Sequence, residues 1–139
     1  MIKLETAMAI AKRAFEEGKV RGVVNMCVVI TDVGGNIRLV HRADGQGIFG
    51  PDTAAGKARA ALGFNRTSLA LSKTFTDPCA VAAINGATGG RFVPLGGGVV
   101  VIDADSNIVG AAAVSGGMPD LDEDIIAAAI ESVGLNVLR

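Results

Sequence analysis

NGATGGRFVPLGGGVVVIDADSNIVGAAAVSGG, residues 85–117, holds 9 of the 19 glycines in a chain of 139 residues. Within it, Val99–Ile102 and Ile108–Val114 are short runs of β-branched and small apolar residues. The Asp103-Ala104-Asp105-Ser106-Asn107 segment between them has the composition of a hairpin turn. The flanking glycine groups mark places where backbone needs positive φ or where another element comes close. The stretch therefore reads as an antiparallel hairpin with open, glycine-rich ends. An echo lies upstream, where Val28-Val29-Ile30, five residues and Asn36-Ile37 match Val100-Val101-Ile102, four residues and Asn107-Ile108. A single echo describes two hairpins of one geometry, not a periodic solenoid.

The rest of the chain falls into place around these hairpins. Val23–Thr31 reads as a buried strand that returns, through Asp32, Gly34, Gly35 and Asn36, as Ile37–His41. Leu4, Met8, Ala11 and Phe15 recur every three or four positions, which predicts an amphipathic helix ending near Gly18. Pro51-Asp52 opens an Ala-rich helix over Thr53–Phe64, and Thr67–Lys73 follows as a shorter one. Asp77-Pro78 starts a turn or two of helix through Ala83, ended by Asn85-Gly86. Pro119-Asp120 begins the last helix, which runs to Gly134. Hairpins joined by stretches of helix predict an α+β fold with an antiparallel sheet, in one domain spanning residues 1–139.

Composition narrows the function classes. Thirteen basic and fourteen acidic side chains leave a net charge of −1, which gives no field for nucleic acid or an anionic membrane. No apolar run reaches the roughly 18 residues of a membrane span, and Glu5, Lys12 and Arg13 interrupt any signal-like core. Two cysteines without a CxxC pattern fit a reducing compartment, so a cytoplasmic protein is expected. Half of the residues are apolar and only 19% are charged, so association with further copies is the expected outlet for leftover apolar surface.

Few residues carry chemistry. His41 is the only imidazole, available as a proton-transfer group or heme ligand, or simply an edge residue of its strand. One His and two distant Cys give no zinc spacing. Cys79 follows Asp77-Pro78 in a first helical turn that favours a thiolate, whereas Cys27 belongs to a core run. Gly96-Gly97-Gly98 leads into a strand, the reverse of a dinucleotide fingerprint. Ser115-Gly116-Gly117 could form an anion nest, but Asp120, Asp122, Glu123 and Asp124 repel a second anion there. Arg42 and Asp44 close the first hairpin and offer a carboxylate grip with a proton acceptor, or a structural ion pair. Lys57 and Arg59, two apart on a helix, point to different faces.

Three segments together resemble the GlcG/HbpS family, also called DUF336 or the heme-degrading domain family and related to the C-terminal domain of PduO-type proteins. They are VVITDVGGNIRLVHRADGQ (28–46), GKARAALGF (56–64) and VPLGGGVVVIDADSNIVGAAAVSGGMPDLDEDIIAAA (93–129). The resemblance implies a profilin-like sandwich with a central antiparallel sheet of about five strands flanked by helices, assembled from several subunits. Carried over by position, it implies a ligand pocket of Arg42, Asp44, Lys57, Arg59 and the loops Gly96, Gly97, Gly98 and Ser115, Gly116, Gly117; apart from the resemblance, Asp44 and His41 are the catalytic candidates, as groups able to handle a proton. The ligand expected is a small organic acid, bound or acted on by a cofactor-independent isomerase, tautomerase or lyase. Some members bind heme, so the alternatives are a heme-binding or heme-degrading protein, with His41 as the available imidazole, and a non-catalytic accessory subunit.

Overall fold

The two hairpins form around the same turn. In the first, Asp32 Oδ1 accepts from the backbone N–H groups of Gly34 at 2.8 Å and Asn36 at 3.0 Å. In the second, Asp103 Oδ1 accepts from those of Asp105 at 3.0 Å and Asn107 at 2.9 Å. Gly35 and Ser106 take the positive φ that the turn requires, 76° and 64°. Hydrogen bonds from Asn36 and Asn107 hold the two aspartates below the ordinary carboxylate range. Each hairpin also absorbs one irregularity, between Ile30 and Thr31 and between Val101 and Ile102.

The computed structural model describes residues Met1–Arg139. In chain order the elements are α1 (Leu4–Val20), β1 (Cys27–Thr31), β2 (Ile37–Arg42), α2 (Gly50–Phe64), α3 (Ser68–Thr74) and α4 (Pro78–Thr88). They continue with β3 (Gly98–Ile102), β4 (Ile108–Ser115), α5 (Pro119–Glu131) and β5 (Asn136–Leu138). The strands form one sheet in the order β2-β1-β4-β3-β5, every neighbour antiparallel. This is the α+β sandwich expected.

Strand alternation sorts the side chains into two layers. Val28, Ile30, Val99, Val101, Ala112 and Val114 pack with Ile10 of α1 and Ile125, Ile126 and Ile130 of α5. Cys27, Val29, Ala111 and Ala113 meet Ala54, Ala55 and Ala58 of α2. Small residues on both sides of that second contact bring α2 close to the sheet. Beyond it, Phe64, Phe75 and Phe92 form a mutual cluster with ring centroids 5.2–5.4 Å apart, tying α2 to the α3–α4 segment.

Five elements differ from the sequence expectation. α1 runs through Gly18 to Val20, because Gly18 is a packing position: a Cβ there would lie 2.5 Å from the Val23 carbonyl oxygen. Its buried stripe is Ala7, Ile10, Ala11, Ala14 and Gly18, leaving Leu4 and Met8 half exposed. β1 starts at Cys27, not Val23. α4 continues past Asn85-Gly86 to Thr88 and ends at Gly89, whose φ of 64° makes the left-handed cap. α5 stops at Glu131, and β5, three residues long, supplies the fifth strand of the expected sheet by pairing with β3, at a place without a sequence signal of its own.

Candidate functional site

Helix α2 divides its two cationic residues between opposite sides. Two positions turn a helix by roughly 200°, so Lys57 points into the protein while Arg59 reaches the turn between β1 and β2. Lys57 is 4% exposed; its Nζ donates to the Val114 carbonyl at 3.1 Å and to Asp122 Oδ2 at 3.3 Å. Asp122, 1% exposed on α5, accepts from the Gly117 N–H at 2.8 Å through Oδ1. Burial pushes the Lys57 ammonium down and the Asp122 carboxyl up from their usual ranges, and their mutual attraction opposes both shifts.

Most of the glycine-rich segments are packed around this pair. Gly97, at φ 120°, would set a Cβ 2.5 Å from the Val114 carbonyl oxygen and 3.2 Å from Lys57 Nζ. Gly98 leaves no room for a Cβ against the Lys57 backbone, and its N–H donates to Ser68 Oγ at 2.7 Å. The Ser115 carbonyl accepts from Gln46 Nε2 at 2.9 Å. Gly116 and Gly117 edge a separate hollow of about 350 Å³ that also includes Val23, Asn25 and Met118.

A groove runs along α2 beside the first hairpin. Two adjoining pockets of about 310 and 250 Å³ share Arg59 and Arg91. The larger is walled by Val33, Leu62, Phe64 and Phe92; the smaller by Ile37, Asp52, Ala55 and Gly56. Each guanidinium is fixed through Nε to a backbone carbonyl: Arg59 to Gly35 at 2.9 Å, Arg91 to Thr88 at 2.7 Å. Neither forms an ion pair with a carboxylate, so their terminal N–H groups remain available for an anion. A partly apolar cleft with convergent cationic donors has the character of a small-molecule site.

The remaining sequence candidates lie elsewhere. His41 pairs across the ladder with Val28, which belongs to the α1/α5 layer, whereas Arg42 pairs with Cys27 in the α2 layer. Cross-strand partners share a face, so His41 and Arg42 lie on opposite sides of the sheet. Both are exposed, as is Asp44 in the loop after β2, and none of the three lines the groove. Burial raises the Cys27 thiol to about 11, with the Arg42 charge acting against it. Arg91, Asp52, Phe64 and Phe92 were not among the sequence candidates. Asp52 and Arg59 had a legible signal, a seven-residue spacing that returns to the same helix stripe. Arg91 and Phe92 reach the groove through the chain path after α4, for which no local pattern exists.

The fold has close structural relatives. A crystal structure of a PduOC–heme complex matches with TM-score 0.85 at 22% identity, covering 99% of each chain. The Klebsiella pneumoniae protein ORFY, of DUF336, gives 0.84 at 21% identity, covering 95% of this chain and 90% of that one. A double mutant of Streptomyces reticuli HbpS gives 0.80 at 28% identity, covering 96% and 87%. No curated protein sequence matches. The family described as haem degrading protein HbpS-like matches residues 2–131, and the chain belongs to this HbpS-like family.

Proposed function

We propose that this protein binds a small organic anion with an apolar body in the groove along α2, holding its carboxylate between Arg59 and Arg91. The observation that carries the reading is the pair of guanidiniums, fixed at Nε, unpaired by any carboxylate and set beside Leu62, Phe64 and Phe92. A preset guanidinium plane loses little freedom on gripping a carboxylate, and aromatic walls suit a planar body. Isomerisation, tautomerisation or lyase chemistry on such a ligand requires a base at the groove. Asp52 is the carboxylate that lines it, which shifts that role away from Asp44 and His41.

The test is thermal unfolding with 3-phenylpropionate. Saturating ligand raises the melting temperature, by an amount equivalent to about 2.7 kcal/mol at a hundredfold excess over Kd. Arg59→Ala or Arg91→Ala removes the rise and Arg42→Ala keeps it. An unchanged response in both groove variants would overturn the assignment.

Heme is a second reading, supported by the heme complex among the structural neighbours. The fit is partial: two guanidiniums match two propionates and the apolar wall suits a macrocycle, but no His, Cys or Met lines the groove to serve the iron. Hemin titration separates the readings: a saturable Soret shift lost in Arg59→Ala or Arg91→Ala supports heme in the groove, whereas one lost in His41→Ala puts the iron at His41, outside it. Exposed Leu4, Met8, Ile48 and Phe49 support association of copies as part of this proposal.

A further inference from the structure

The smaller pocket contains charges of both signs that do not meet. Asp52, Arg59 and Arg91 all line it, yet Asp52 forms no ion pair with either arginine. Asp52 and Arg59 stand seven residues apart on one stripe of α2, about 10 Å along the helix axis. Between them lie Ala55, which presents only a methyl group, and Gly56, against which the Val93 side chain packs. The arginines cannot swing freely toward Asp52, because the carbonyls of Gly35 and Thr88 hold their Nε atoms. Opposite charges that served only to fasten the fold would close on each other; here a cavity of about 250 Å³ keeps them apart.

From this separation we infer that the groove takes a zwitterion, an amino carboxylate with an apolar body. Its carboxylate sits at Arg59 and Arg91, its ammonium faces Asp52 in the smaller pocket, and its apolar part lies toward Leu62, Phe64 and Phe92 in the larger one. This rests on the anion-binding reading of the groove and adds Asp52 as the residue that sets specificity. Asp52 is exposed, so the preference comes from attraction: an amino carboxylate gains a charge-assisted contact at Asp52 that a plain carboxylic acid cannot make.

Calorimetric titration of the wild-type protein with 3-phenylpropionate, L-phenylalanine and phenethylamine tests the inference. L-Phenylalanine binds about threefold more tightly than 3-phenylpropionate, the gain expected of an ion pair at an exposed carboxylate, and phenethylamine binds most weakly. In Asp52→Asn the advantage of L-phenylalanine disappears while 3-phenylpropionate binds as well as before or better. If 3-phenylpropionate binds in an Arg59-dependent manner but L-phenylalanine gains nothing, the zwitterion is overturned and the anion site stands. If neither carboxylate binds, both fall. The wild-type comparison is independent of how the variant folds, and a circular-dichroism melt of Asp52→Asn checks that it does.

Discussion

Removing the Lys57 ammonium alone would strand a charge in the centre of the protein. In Lys57→Met the Asp122 carboxylate, 1% exposed, keeps its Gly117 N–H but loses its only cationic partner, and the Val114 carbonyl loses the Nζ donor. Breaking a buried pair on one side costs about 3–5 kcal/mol. For 139 residues the unfolding entropy is about 0.3 kcal/mol per degree, so the melting temperature falls by about 10–17 °C. Replacing both partners, as Lys57→Met with Asp122→Leu, removes the stranded charge and recovers most of the loss. The pH dependence has a definite sign. The raised folded pKa of Asp122 gives stability that is present at low pH and lost as pH rises through that pKa. The lowered folded pKa of Lys57 makes stability rise again as pH climbs from that pKa toward 10.5. Loss of the carboxylate in Asp122→Asn removes the acid-side change. The assay is urea unfolding of the four proteins across pH. A loss below about 1 kcal/mol for Lys57→Met, or a double variant no better than the single, would refute the buried-pair reasoning.

Two glycine substitutions should move stability in opposite directions: Gly97→Ala, at φ 120° and against the Val114 carbonyl, costs more than about 2 kcal/mol, read from denaturant midpoints. Gly86→Ala, inside α4 with open space at its Cβ, gains about 0.5–1 kcal/mol in the same measurement. Cys79, exposed at the start of α4, reacts with a thiol reagent in the native protein, while Cys27, buried and raised to about 11, reacts only on unfolding; equal native rates would contradict the placement.

The fold was largely legible because its signals are local. Asp-x-x-x-Asn at each turn and the β-branched runs beside it specify the hairpins without reference to the rest of the chain. α1 shows where locality ends. Leu4 and Met8 match the helical period as well as Ile10 and Ala14 do, and only the sheet packed beneath decides which stripe is buried. Gly18 and Asn85-Gly86 look like helix ends, but tertiary contact at the first and a continuing backbone ladder at the second override them. β5 has three residues, too few for a period, and exists by pairing with β3.

The site divides in the same way. That Lys57 and Arg59 diverge follows from helix geometry, yet which one faces inward depends on Asp122, 65 residues away. The glycine groups at 96–98 and 116–117 attract attention as loops for a ligand. In the structure, Gly97, Gly98 and Gly117 make room for the Lys57–Asp122 pair and its carbonyl partners. The groove is assembled from the first hairpin turn, α2 and the segment after α4, none of which announces the others in sequence.

The central claim is that Arg59 and Arg91 form an anion grip, and their side-chain Nε–Hε resonances report on it directly. On titration with 3-phenylpropionate, the account predicts saturable shifts of the Arg59 and Arg91 Nε–Hε signals with one Kd, and still signals for Arg42 and for the amides of Gly116 and Gly117. Shifts confined to Arg42, or to Gly116 and Gly117 at the separate hollow, would contradict it.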